Sequence, residues 1–144
     1  MTVRKNDIYV YPKVYLEGEK ISPINVFYYP DATVTCDERD RDFSEDCIRY
    51  PRLVVEVLSP STEAFNRGGK FADYRTIETL QEYVLISQQQ VSVECFRRNA
   101  EGLWVLYPYS AGEEIHLASI DFSCPIAALF DTPRSKETGI LRTK

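Results

Sequence analysis

The chain has 144 residues, 44% hydrophobic and 27% charged, enough to bury one core without staples and too apolar for wholesale disorder. Its net charge of −5 argues against a general polyanion binder, and no apolar run approaches the length of a bilayer span. The four cysteines, Cys36, Cys47, Cys95 and Cys124, form no C-x-x-C pair and the chain has one histidine, His116, which argues against zinc; with no secretory signal they read as buried thiols of a cytoplasmic protein.

In chain order, residues 7–16 are rich in aromatic and β-branched side chains and predict a strand or ragged strand pair. A turn follows at 17–20. A second strand signal runs through 26–29 and 32–36, interrupted at Pro30-Asp31. Residues 37–46 are dense in charge with no helical apolar stripe, the pattern of a solvated loop. Leu53-Val-Val-Glu-Val-Leu58 lies between Pro51 and Ser59-Pro60 and predicts a strand buried on both faces at the centre of a sheet. Phe71, Tyr74, Ile77 and Leu80 recur at helical spacing after Gly68-Gly69, so a helix is expected from near Lys70.

Strands are predicted again at 81–87, 91–96, 103–107 and 115–117, with Pro125 opening a short helix capped by Ser123. Residues 1–131 form the expected single domain. Residues 132–144 form a flexible tail with four basic residues against one acidic, leaving the rest of the chain more acidic than the total. The predicted class is α/β, a mixed sheet with a flanking helix and a C-terminal β-meander. One helix cannot cover both faces of such a sheet. Part of it is therefore expected to be capped by a partner or by an element missing from the chain.

Glu56 is the anomaly within this pattern. A strand glutamate usually faces water or pairs with an arginine, but Val54 and Leu58 share its side of the strand, which argues against a wet face. Asp31 follows a proline that removes a backbone donor, which marks an edge, a bulge or a bend. Two carboxylates on adjacent strands suit magnesium, a hard cation that takes few protein oxygens and keeps water. Lys70, at the start of the following helix, is either a surface lysine, the commoner case, or a cation that neutralises charge on a metal-held phosphate. Tyr74, one turn on, shares its face. Ser59 and Ser61 have no histidine near them in sequence, and Arg97-Arg98 reads as a solvated turn.

Three stretches carry a resemblance: Tyr29-Pro-Asp-Ala-Thr-Val-Thr-Cys36, Pro51-Arg-Leu-Val-Val-Glu-Val-Leu-Ser-Pro-Ser-Thr62, and Lys70-Phe-Ala-Asp-Tyr74 followed by Glu82-Tyr-Val-Leu-Ile86. Together they resemble the Uma-two family of restriction-endonuclease-like proteins, within the PD-(D/E)XK nuclease superfamily. The resemblance implies that Asp31 and Glu56 are the metal-binding acids, with a carbonyl near Val57 as a further ligand. The superfamily's lysine usually stands two residues after the acid. Leu58 holds that position here, and the resemblance assigns the role to Lys70, with Tyr74 supporting the site. Family members usually begin with a longer N-terminal portion containing a helix and another acid, which this chain is expected to lack. Where the family commonly reads Asp-Arg-Gly-Glu-Lys, this chain reads Asn66-Arg-Gly-Gly-Lys70, losing two carboxylates.

The expected function is that of a magnesium- or manganese-dependent endonuclease hydrolysing DNA, acting as a homodimer in the cytoplasm. The rival is a catalytically inactive, dimerising or DNA-binding remnant of the nuclease fold.

Overall fold

The computed structural model describes residues 3–5, 8–10, 14–16, 26–41 and 48–130. In chain order the strands are β1 (Val3–Lys5), β2 (Ile8–Val10), β3 (Val14–Leu16), β4 (Val26–Tyr28), β5 (Ala32–Thr35), β6 (Leu53–Val57), β7 (Glu82–Ile86), β8 (Ser92–Arg98), β9 (Trp104–Ser110), β10 (Glu114–Leu117) and β11 (Phe122–Pro125). Two short helices, α1 (Glu63–Arg67) and α2 (Gly69–Tyr74), lie between β6 and β7. The expected turn at 17–20 and tail at 132–144 lie outside the described residues.

Seven strands make one mixed sheet in the order β1-β2-β5-β6-β7-β8-β9. Only β6 and β7 run parallel in it, joined by the crossover that α1 and α2 form, as parallel neighbours require. β3 and β4 pair separately as a two-stranded ribbon, and so do β10 and β11. β6 sits at the centre of the order, consistent with its apolar run.

Strand alternation sends side chains to two cores. On the helical face, Val54, Leu58, Tyr83 and Leu85 pack with Phe71, Tyr74, Leu80 and Ile48. Phe71 stacks on Tyr83 at a centroid distance of 4.6 Å and an interplanar angle of 6°. On the opposite face, Val34, Leu53, Val84, Val93 and Cys95 pack against Ile115 and Ile126. These two isoleucines come from the C-terminal segment, and each contributes about 2–3 kcal/mol by burial. The chain's own β10–β11 hairpin and the 3-10 turn Ile126–Leu129 thus cover part of the second face.

A buried ion pair ties that hairpin region to the sheet. Glu82, fully buried, accepts from Arg97 Nε at 2.7 Å, from the Ser119 amide at 2.8 Å and from the Ser119 hydroxyl at 2.5 Å. Arg97 also donates to the Tyr109 hydroxyl at 3.0 Å and to the carbonyl of His116. Arg97 is therefore a structural clamp and not a solvated turn. Arg98 is engaged as well, donating to the carbonyls of Arg75, Ile77 and Glu78 where α2 ends.

Three other expectations need correction. The helix begins earlier than Lys70, breaks at Gly68 and stops at Tyr74, so Ile77 and Leu80 lie in turns. The 37–46 run is not all solvated loop: Glu38–Arg41 forms a 3-10 turn. Asp40 in it is buried and accepts from the Thr35 hydroxyl at 2.6 Å and the Arg49 and Tyr50 amides at 2.9 and 3.1 Å. Ser123 caps nothing; it lies in β11 opposite His116, with Oγ 2.8 Å from Nδ1. Of the cysteines, Cys95 is buried and its thiol pushed up to about 12 by that burial, whereas Cys36 and Cys124 are half-buried. Cys47 lies outside the described residues.

Candidate active site

The site is built where β5 begins and β6 ends. β5 pairs antiparallel with β6, with Ala32 opposite Val55. Continuing that register by one step puts Asp31 opposite Glu56, and opposite residues of an antiparallel pair project to the same face. Pro30 stops the ladder there because it has no N–H. The Asp31 carboxylate takes over, its Oδ2 accepting the Val57 amide at 2.7 Å. The N–H and C=O of one strand residue point the same way, so the Val57 carbonyl also faces the Asp31 side.

Glu56 is 3% exposed. Lys70, the second residue of α2, brings Nζ to 2.7 Å from Glu56 Oε2. The partner is a lysine and not the arginine such a residue commonly has. The contact is one of charge: Oε2 is buried and has no aligned hydrogen-bond donor. Burial pushes the Glu56 carboxyl up, Lys70 opposes that shift, and the charge of Asp31 adds to it.

The Tyr74 hydroxyl is fully buried, lies near enough to Glu56 for each to shift the other, and also has no hydrogen-bond partner. Burial, then the neighbouring Glu56 charge, pushes this phenol far up. Asp31, Glu56, Lys70 and Tyr74 are thus brought together, with Val57 between the two acids' strands.

Tyr28 completes the group and had no distinguishing mark in the sequence. It ends β4, two residues before Pro30, and its ring centroid lies 5.2 Å from Lys70 Nζ. The ring packs on Tyr74 at 5.3 Å, and the hydroxyl donates to Asp73. One residue therefore joins the strand that leads to Asp31 with the helix that carries Lys70.

The α1–α2 junction fits glycine for reasons of space. A Cβ on Gly68 would meet the Ala64 carbonyl oxygen at 3.1 Å, and one on Gly69 would meet the Phe65 ring at 3.2 Å. Arg67, just before the break, pairs with Glu63 at 2.8 Å and with Glu94 on β8. The hairpin of helices is thereby anchored to the sheet two strands from Glu56.

The donor set suits a hard divalent cation. Asp31 and Glu56 offer carboxylate oxygens, Val57 a carbonyl, and Glu56 Oε2 is a buried acceptor with no aligned donor. Among the described residues no three His, Cys, Asp or Glu side chains gather as a metal cage. Magnesium needs no such cage, since it binds through one or two carboxylates and keeps its water. Among the described residues no helix is long and apolar enough to cross a membrane.

Known proteins share this framework. A crystal structure described as that of "a putative nuclease belonging to DUF820" from Anabaena variabilis superposes with a TM-score of 0.64 over 87% of this chain and 69% of its own, at 14% identity. That likeness establishes a shared fold. Two uncharacterized Synechocystis proteins are similar in sequence. One, slr1290, is 44% identical over 113 residues, covering 77% of this chain and 59% of its own length. The other, sll1609, is 40% identical over 81 residues, covering 56% of this chain and 46% of its own. The chain thus spans about half the length of these curated relatives. The sequence model of the family described as "Uma2: Putative restriction endonuclease" matches residues 12–127, and the chain belongs to that family.

Proposed function

We propose that the protein is a magnesium-dependent endonuclease that hydrolyses DNA phosphodiesters, with manganese able to substitute. The observation that carries this reading is the contact of Lys70 with the buried Glu56, beside Asp31 held at the end of the same strand. Asp31, Glu56 and the Val57 carbonyl would hold the cation, which when bound would make water a nucleophile at neutral pH and neutralise phosphate charge.

The chain's own groups do the rest. Glu56 is the buried anchor. Lys70 supplies a positive charge at the same oxygen, where it can orient the attacking water and stabilise charge building on the phosphate. Tyr74 lies buried beside Glu56 and supports it. Tyr28 limits where the lysine can go.

The test is plasmid cleavage in magnesium or manganese by wild type, Glu56→Ala and Lys70→Ala. Wild type is expected to cut and both variants to lose activity by about 10²-fold or more. If wild type cuts no better than the variants, the inactive remnant of the fold takes this reading's place.

The homodimer belongs to the same proposal and is supported by edge strand β9. Val105, Leu106 and Tyr107 are 37%, 42% and 41% exposed there, beside Leu103 at 62%. Pro108 denies that edge a continuous row of donors, so a second copy would meet it through side chains. A cytoplasmic setting belongs to the same proposal, supported by cysteines that stand free among the described residues.

A further inference from the structure

Phe65 is a large apolar side chain on the short helix α1 and remains 51% exposed. Its ring meets Tyr28 at a centroid distance of 6.1 Å and an interplanar angle of 67°. Its Cε1 and Cδ1 atoms lie 3.2 and 3.3 Å from where a Cβ on residue 69 would be. Gly69 therefore leaves the ring room to lie along the backbone that delivers Lys70. From Phe65 the contacts run inward without a gap: Tyr28 to Lys70 Nζ at 5.2 Å, and Lys70 to Glu56 at 2.7 Å. On the segment that delivers Asp31, Tyr29 is 67% exposed. Exposed aromatic side chains thus lie on both chain segments that build the site.

Charge around the site is poorly suited to a duplex. Binding a double helix depends on cations that neutralise successive phosphates. Among the described residues that frame the site, Lys70 faces Glu56 and Arg67 is shared by Glu63 and Glu94. The whole chain carries −5. Stacking on an aromatic face needs no such charge, but it needs a base that is not already stacked inside a duplex.

We propose that the substrate presented to this site is single-stranded DNA, with an unpaired base stacked on Phe65 and Tyr29 flanking the strand as it passes Asp31. This rests on the nuclease reading above and specifies its substrate class. Phe65 is then a specificity residue: it places the neighbouring phosphate toward Lys70 and Glu56 without touching the reacting atoms.

The test is fluorescence anisotropy of labelled single-stranded and duplex oligonucleotides of one sequence, in chelator so that nothing is cut. Single strands are expected to bind at least about tenfold more tightly than duplex, and Phe65→Ala to lose about tenfold on single strands only. Phe65→Trp is expected to keep the affinity. Phe65→Leu, which retains an apolar contact with Tyr28, is expected to lose it and serves where the alanine variant does not fold. Duplex binding as tight as single-strand binding, no measurable single-strand binding, or a folded Phe65→Leu variant with undiminished affinity would overturn the proposal. Cleavage in magnesium separates the two readings. Glu56-dependent cutting of duplex with no preference for single strands overturns the stacking proposal alone. Phe65-dependent single-strand binding without Glu56-dependent cutting supports it and overturns the nuclease reading.

Discussion

Asp31 accepts the amide hydrogen of Val57, the residue next to Glu56, at 2.7 Å. One carboxylate therefore finishes a sheet ladder that Pro30 cannot continue and faces the other acid of the site. The two tasks can be separated. Asp31→Asn keeps an amide oxygen for the Val57 amide and is expected to hold stability within about 1 kcal/mol, while cleavage falls by about 10²-fold. Asp31→Ala should lose both. Denaturant melts beside plasmid cleavage check this, and equal loss of stability in both variants would deny the structural role.

The ring of Tyr28 under the Lys70 ammonium predicts a graded series. Tyr28→Phe keeps the ring and gives up only the bond to Asp73, so most activity should remain. Tyr28→Leu removes a cation–π contact worth about 1 kcal/mol, and cleavage should drop about fivefold. A merely structural ring would lower thermal stability without changing the pH profile. The leucine variant is expected to shift that profile, since Lys70 opposes the raised Glu56 carboxyl.

Burial raises the Glu56 carboxyl above its unfolded value. A group raised on folding contributes stability that is full below its unfolded pKa and lost as pH rises through the folded pKa. Wild type should therefore lose stability relative to Glu56→Gln as pH climbs past the ordinary glutamate range. Cation binding needs the ionised form, so magnesium affinity should rise over that same window. Urea denaturation across pH and calorimetric titration with magnesium test the two halves. A flat stability difference would sink the assignment of the shift to Glu56.

The pair joins the buried carboxylate of Glu82 to the partly buried guanidinium of Arg97, at 1% and 17% side-chain exposure. Arg97→Ala leaves the glutamate uncompensated and unhooks the region around Ser119, at an expected cost of about 3–5 kcal/mol. Where the variant stays folded, its cleavage rate per folded molecule should match wild type. A rate loss without a stability loss would place Arg97 in the catalytic machinery after all.

The exposed edge β9 gives the dimer its own check. If the proposed dimer forms through this edge, wild type is expected to sediment as a dimer and Leu106→Glu as a folded monomer. An unchanged sedimentation coefficient would move the contact elsewhere.

Glu56, Asp31 and Lys70 were legible in the sequence because each breaks a local rule: an acid in an apolar run, a Pro-Asp inside a strand, a lysine after two glycines. Tyr28 breaks none, being one aromatic residue among neighbours suited to a strand, and only the folded path sets it beside Lys70. The same blindness covers Asp40 and Arg97. Both stand in charged stretches that read as solvated, yet Asp40 is buried and Arg97 half-buried by partners outside those stretches. The helix was found by its stripe, but Ile77 and Leu80 keep helical spacing while packing from turns. Spacing could not mark where it ends. The C-terminal hairpin as cover for the second face was also hidden, because Ile115 and Ile126 are single fully buried residues in segments too short to show a periodic pattern.

The contact of Lys70 with Glu56 has a consequence for how the site would fill. The acid already has a resident counter-ion, tethered on its own helix, so the fold does not wait for a metal to become tolerable. Loading a divalent ion would then be an exchange of cations, with the Lys70 ammonium competing for the Glu56 carboxylate. Such a swap weakens apparent affinity, because the lysine competes at high effective concentration. The displaced ammonium would also be left beside the site, already positioned to meet an incoming phosphate.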